Sequence, residues 1–141
     1  MDVFQQSDLI EVRRDASKGL GGRGVFARRP IRAGTIIERV PVLLIPREQV
    51  FDESNVARRD CRLSWYVYEW AEGGGEEYVA VALGYGSLYN HSYQSNAVYR
   101  PGPPDTLEFV ALRAIEANEE VTVNYNGDPD DRSPVDLHPT Q

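Results

Sequence analysis

The stretch Leu83–Tyr99, LGYGSLYNHSYQSNAVY, is answered some thirty residues later by Ala117–Gly127, ANEEVTVNYNG. In the first, Gly84 and Gly86 allow backbones to approach closely. Asn90-His91-Ser92 then presents three hydrogen-bonding side chains in succession, and Ala97-Val98-Tyr99 follows Asn96 as a short β-type run. In the second, Val121, Val123 and Tyr125 alternate as a strand does, ahead of a turn at Asn126-Gly127. A third fragment, Gly22-Arg23-Gly24-Val25-Phe26-Ala27, couples a Gly-x-Gly turn to an apolar run.

Outward from these stretches, the chain reads as many short strands with little helix. Ile10 to Arg13 predicts a first strand, followed by a glycine-rich loop from Asp15 to Gly22 and a strand at Val25–Ala27. Pro30 to Ile37 predicts a helical turn closed by Gly34 in the left-handed region. The same pattern recurs at Ile115-Glu-Ala-Asn, where Asn118 takes the glycine position, because asparagine tolerates that conformation. Thr35 to Ile45 predicts one or two strands interrupted at Pro41, and Arg47 to Leu63 is the most helix-like segment. Trp65–Trp70 and Tyr78–Leu83 predict a hairpin turned by Gly73-Gly74-Gly75. Thr106 to Ala114 predicts a strand after the breaker Pro101-Gly-Pro-Pro. Residues 128–141 are rich in proline and aspartate and predict a flexible tail. A mainly β domain over residues 8–127 results, and composition carries the reading no further.

With 141 residues and 41% hydrophobic residues, the chain suits one domain with a modest core. It has no apolar run near the ~20 residues of a membrane-spanning helix and no signal-peptide pattern at its start, so an intracellular, soluble protein is expected, cytoplasmic or nuclear. The net charge of −7 argues against nucleic acid as a partner and suits a basic one. Acidity for solubility alone is the blander explanation. One cysteine, Cys61, forms no internal disulfide, and two widely spaced histidines with it make no zinc site, so no metal is expected.

The three fragments, in this order, resemble the signature motifs of the SET-domain protein lysine methyltransferases. Asn90-His91-Ser92 is similar to the family's Asn-His-Ser motif, Ala117–Tyr125 to its Gly-Glu-Glu-Leu-Thr-x-x-Tyr motif, and Gly22–Ala27 to its Gly-x-Gly motif. Together they span most of the chain. The resemblance implies the SET fold, small curved sheets with the C-terminal motif threaded as a pseudoknot. It implies S-adenosyl-L-methionine as cofactor and a lysine of a basic protein or peptide as substrate. Tyr93 and Ser95 stand where relatives carry Cys and Pro, and Asn124 where Asp is frequent. With Tyr93 in place of a zinc-binding Cys, the chain resembles a minimal, zinc-free member. Relatives often close the site with an aromatic residue after the last motif. None follows Tyr125 here, which points to a homodimer mate or another partner completing the site.

By the same resemblance, Arg23, Gly24, Val25, Phe26, Asn90, His91 and Tyr125 contact the cofactor, and Tyr125 is the catalytic residue. Val123 and Tyr99 match positions at the bottom of the lysine channel, where a tyrosine hydroxyl would favour monomethylation. Tyr66, Tyr68, Tyr85, Tyr89, Trp65 and Trp70 are channel-wall candidates, each more often a core residue in a small β domain. His91 reads better as a structural, hydrogen-bonded histidine than as a base. Glu119-Glu120 reads as structural, since adjacent strand side chains face opposite ways. The rival reading is a non-catalytic interaction module on a retained SET scaffold.

Overall fold

A computed structural model describes residues 3–15, 17, 22–70 and 78–135. Nine strands, β1 (Ile10–Arg14), β2 (Arg23–Ala27), β3 (Ile36–Pro46), β4 (Val67–Trp70), β5 (Tyr78–Ala82), β6 (Asn90–His91), β7 (Ala97–Gly102), β8 (Thr106–Ala111) and β9 (Glu120–Val123), form two sheets among the described residues. One sheet has the order β1-β2-β9-β6, the other β4-β5-β3-β8-β7. All pairings are antiparallel except β6 with β9, which run parallel, Asn90 opposite Thr122 and His91 opposite Val123. The last strand is thus inserted between two earlier ones, β2 and β6. That insertion places all three sequence fragments side by side and matches the implied pseudoknot.

Buried apolar side chains from both sheets meet in one core, including Val25, Ile37, Val40, Leu107, Phe109, Val121 and Val123. Asn96 fastens the sheets where they diverge. Its amide donates to the Glu120 carbonyl (2.8 Å) and the Glu119 carboxylate (3.0 Å), and its side-chain oxygen accepts the Thr122 N–H. The two repeated turns also meet: Ile31 and Ile115 exchange backbone hydrogen bonds of 2.8 Å. Gly34 (φ +82°) and Asn118 (φ +70°) occupy the left-handed positions expected of them.

Four expectations need correction. Pro41 does not interrupt β3, which runs unbroken through it. Residues Ile36–Pro41 pair with β8 and Val42–Pro46 with β5, so proline, which has no N–H to give, sits where the strand changes partner. Arg47–Leu63 forms no α-helix, only short 3-10 turns at Arg47–Gln49, Arg58–Asp60 and Arg62–Trp65. The Asp52 carboxylate takes the Ser54 and Val56 N–H groups, and Asn55 and Arg59 are left-handed, so local side-chain bonds win over helix. The last of these turns also removes Trp65 and Tyr66 from the strand expected there. Pro101 and Gly102 lie inside β7 and break nothing; the turn falls at 103–105.

Most of the Asp15–Gly22 loop and the Gly73-Gly74-Gly75 turn lie outside the described residues, as do residues 136–141. Residues 128–135, expected to be loose from composition, are tied back to the body. Asn124 and Asn126 donate to the Asp131 carbonyl, Asn126 and Tyr93 to that of Ser133.

Candidate active site

Where β2, β6 and the turn after β9 converge, Arg23, Tyr66, Leu88, Tyr89, Asn90 and Tyr125 line a narrow recess of about 10 Å³, room for about one water molecule. Each arrives there for a local reason. β2 pairs with β9 and β9 with β6, so the start of β2 lies next to Asn90. The Asn90 amide donates to the Arg23 carbonyl and to the Glu120 carboxylate, both at 2.8 Å. Gly24 leaves room for that bridge: a Cβ built on it would lie 2.4 Å from the Glu120 oxygen and 2.9 Å from the Asn90 nitrogen. Arg23 reaches across to the Tyr66 hydroxyl at 3.4 Å.

Tyr125 lies beyond the end of β9, in the turn closed by Gly127. Its hydroxyl donates to the Tyr89 carbonyl at 2.7 Å. Burial, then the Glu120 charge, raises the phenol far above its ordinary value, so it stays protonated across the working pH range. With its one proton given to Tyr89, the Tyr125 oxygen can only accept from whatever sits in the recess. Tyr99 approaches from β7 and donates to the Tyr125 carbonyl at 3.2 Å; burial and then Glu69 push its phenol up to about 12. Tyr68 stands edge-on to Tyr99 at 4.6 Å and donates to the Gly86 carbonyl.

His91 holds Tyr125 from the other side. Its Nδ1 accepts the Tyr125 backbone N–H at 3.0 Å, which puts the imidazole proton on Nε2. The ring packs edge-to-face on Tyr93 at 4.4 Å. Desolvation lowers its pKa from 6.5, favouring the neutral form that can accept. A histidine whose folded pKa is depressed contributes stability above its unfolded pKa, and loses it as pH falls below about 6.5 toward the folded value. Urea unfolding of the wild type should therefore weaken between pH 7.5 and pH 5.5. His91→Asn, which keeps an acceptor without a titrating ring, should lose less over that interval; equal losses would remove His91 from the effect.

Of the residues nominated from sequence, Arg23, Asn90 and Tyr125 meet at the recess, and Gly24 and His91 brace them. Val25 (0% exposed) and Phe26 (8%) are strand core residues, Phe26 also lying under the Arg13 guanidinium. Val123 is wholly buried in the core, while Tyr99 touches Tyr125. Tyr66 and Tyr89 are the channel-wall candidates that line the recess; Trp70 is core and Trp65 packs under Arg62. Glu119 accepts from Arg113, Asn96 and the Glu116 N–H, a structural role as expected. Sequence reasoning missed Glu120 as the partner of Asn90, because Asn90-His91 carries no strand pattern and its pairing with β9 is seen only in the fold.

The family described as SET domain matches residues 22–126. This chain belongs to the SET-domain family. It is similar to the Schizosaccharomyces pombe histone-lysine N-methyltransferase, H3 lysine-37 specific: 34% identical over 117 residues, covering 82% of this chain and 72% of the relative. It is also similar in fold to a Plasmodium falciparum candidate histone methyltransferase known from a crystal structure. That likeness has a TM-score of 0.62 and 29% identity, and covers 86% of this SET chain and 94% of the other. Among its described residues no helix is long and apolar enough to cross a membrane.

Proposed function

We propose that this SET-domain protein methylates lysine side chains of a basic protein, with S-adenosylmethionine as donor and Tyr125 as catalytic residue. The observation that carries the reading is the convergence of Arg23, Asn90, Tyr89 and Tyr125 on one recess from three distant segments. When bound, S-adenosylmethionine supplies a methyl group on a sulfonium whose positive charge disperses as the carbon–sulfur bond breaks. The chemistry of the residues around the recess suits the polar end of that group. Gly24 lets backbone lie against the Asn90–Glu120 bridge without a side chain in the way, and the Arg23 guanidinium and the Asn90 side-chain oxygen offer polar contacts beside it.

The chain's own part is to prepare the amine and aim it. A free lysine has a pKa of about 10.4 and must lose its proton before it can attack. Phenol and aliphatic walls desolvate it, which favours the neutral amine. The Tyr125 oxygen, held as an acceptor by Tyr89, orients an amine N–H, and positioning of this kind can supply several kcal/mol. The net charge of −7 suits a lysine-rich partner, and a histone tail, the substrate class in the yeast relative's name, is the first to try; such a substrate would place the protein in the nucleus. A homodimer mate or other partner over the recess remains part of the proposal.

Incubating the pure protein with labelled methyl donor and a panel of histones and other basic proteins tests this directly. Labelled methyl-lysine, located by mass spectrometry, is the expected result. Cofactor binding with no transfer to any basic protein would favour a non-catalytic interaction module instead.

Monomethylation is the expected product. The Tyr99 hydroxyl keeps its proton below about pH 12 and sits beside the Tyr125 carbonyl, where a bulkier amine would displace it. That hydrogen bond is worth about 1 kcal/mol. Mass spectra of peptide methylated by Tyr99→Phe should show di- and trimethyl products that the wild type lacks. An unchanged product distribution with activity intact would show that Tyr99 does not set the degree of methylation.

A further inference from the structure

Behind the recess lies a buried carboxylate that the chemistry described above does not use. Glu38, in β3, is only 4% exposed. Its two oxygens are held by two neutral donors: the Tyr85 backbone N–H reaches Oε2 at 2.9 Å, and the Tyr89 hydroxyl reaches Oε1 at 2.9 Å. The 83–89 loop closes tightly over it, and a Cβ at Gly84 would lie 2.8 Å from Oε2. A buried carboxylate is unfavourable unless its oxygens are bonded, and an apolar side chain would fill this space more simply. An apolar side chain would leave the Tyr85 N–H and the Tyr89 hydroxyl without an acceptor.

Tyr89 is the element that carries this bond to the reacting end. Its ring is 2% exposed and stacks on Phe109 with centroids 4.1 Å apart. Its hydroxyl is fixed by Glu38, and its carbonyl receives the Tyr125 hydroxyl at 2.7 Å. One residue is therefore pinned at its side chain by the five-stranded sheet and presents its backbone to the turn that follows the four-stranded sheet.

We propose that Glu38 is a positioning residue for methyl transfer: through Tyr89 it fixes where the Tyr125 hydroxyl points. This rests on the function proposed above. Tyr89→Phe removes one hydroxyl and cuts the link; Glu38→Ala cuts it from the other side. In both, kcat per folded molecule should fall at least tenfold, while the Kd for S-adenosylmethionine stays within about twofold. A fluorine label on the Tyr125 ring (3-fluorotyrosine) should shift its ¹⁹F resonance in both variants, with or without cofactor present. A purely structural role would lower the unfolding midpoint and leave kcat per folded molecule alone. Unchanged kcat, or a resonance that does not move, overturns the proposal. If Glu38→Ala does not fold, Tyr89→Phe decides alone. A wild type that transfers no methyl would sink the function reading, and the ¹⁹F resonance would then still decide the Glu38–Tyr89–Tyr125 link.

Discussion

Tyr125→Phe should lower methyl transfer roughly 100- to 1000-fold, the usual loss when one positioned polar group is removed from a reacting site. The substitution deletes only the oxygen that donates to the Tyr89 carbonyl at 2.7 Å. The ring keeps its place beside His91, with centroids 5.2 Å apart, and the backbone N–H still meets His91 Nδ1. The fold should lose about 1 kcal/mol, the net worth of one hydrogen bond, and the unfolding temperature only a few degrees. Cofactor affinity should change little, because Asn90, Arg23 and Gly24 are untouched. Single-turnover transfer at saturating cofactor separates these effects. Near-normal turnover in the variant would strip Tyr125 of its assigned role.

The parts of this molecule that could be read from sequence are those encoded locally. Asn90-His91, Gly24 and Tyr125 stand in short contiguous motifs, and it is their resemblance to the SET family's motifs that nominated them. The left-handed turns at Gly34 and Asn118 follow from residue type alone. Glu38 was not legible for a geometric reason. Alternation from the exposed Ile36 places residue 38 on the outer face, but the pairing with β8 slips between Ile36 and Glu38. That bulge turns both Ile37 and Glu38 inward, and nothing in ERVPV signals an extra residue. Its partner Tyr89 is 51 residues away. The recess itself is equally long-range, because Tyr66 and Tyr89 read as ordinary core aromatics until the strand order brings Arg23 and Tyr125 to them. The helix expected at Arg47–Leu63 does not form because Asp52, Asn55 and Asp60 are turn formers.

Gly24→Ala should weaken S-adenosylmethionine binding as strongly as Asn90→Ala does, although it removes no polar group. The added methyl would lie 2.4 Å from the Glu120 carboxylate oxygen and 2.9 Å from the Asn90 amide nitrogen, both closer than real contacts allow. Glu120 is the side chain that must give way, since β2 and β9 are locked by the Val25–Val121 and Phe26–Glu120 pairing. Moving it breaks the 2.8 Å bond from Asn90, and the amide then swings away from the Arg23 carbonyl as well. A hydrogen bond to a charged group is worth about 1.5–3 kcal/mol, so the affinity should fall about 10- to 100-fold. Asn90→Ala removes the same bridge by deleting the donor. The double variant should then bind no more weakly than the weaker single one, because both act through one bridge. Calorimetric titration of the cofactor into the three variants gives the comparison. Losses that simply add would show that Gly24 and Asn90 contact the cofactor independently, and wild-type affinity in Gly24→Ala would show that the bridge does not shape the site.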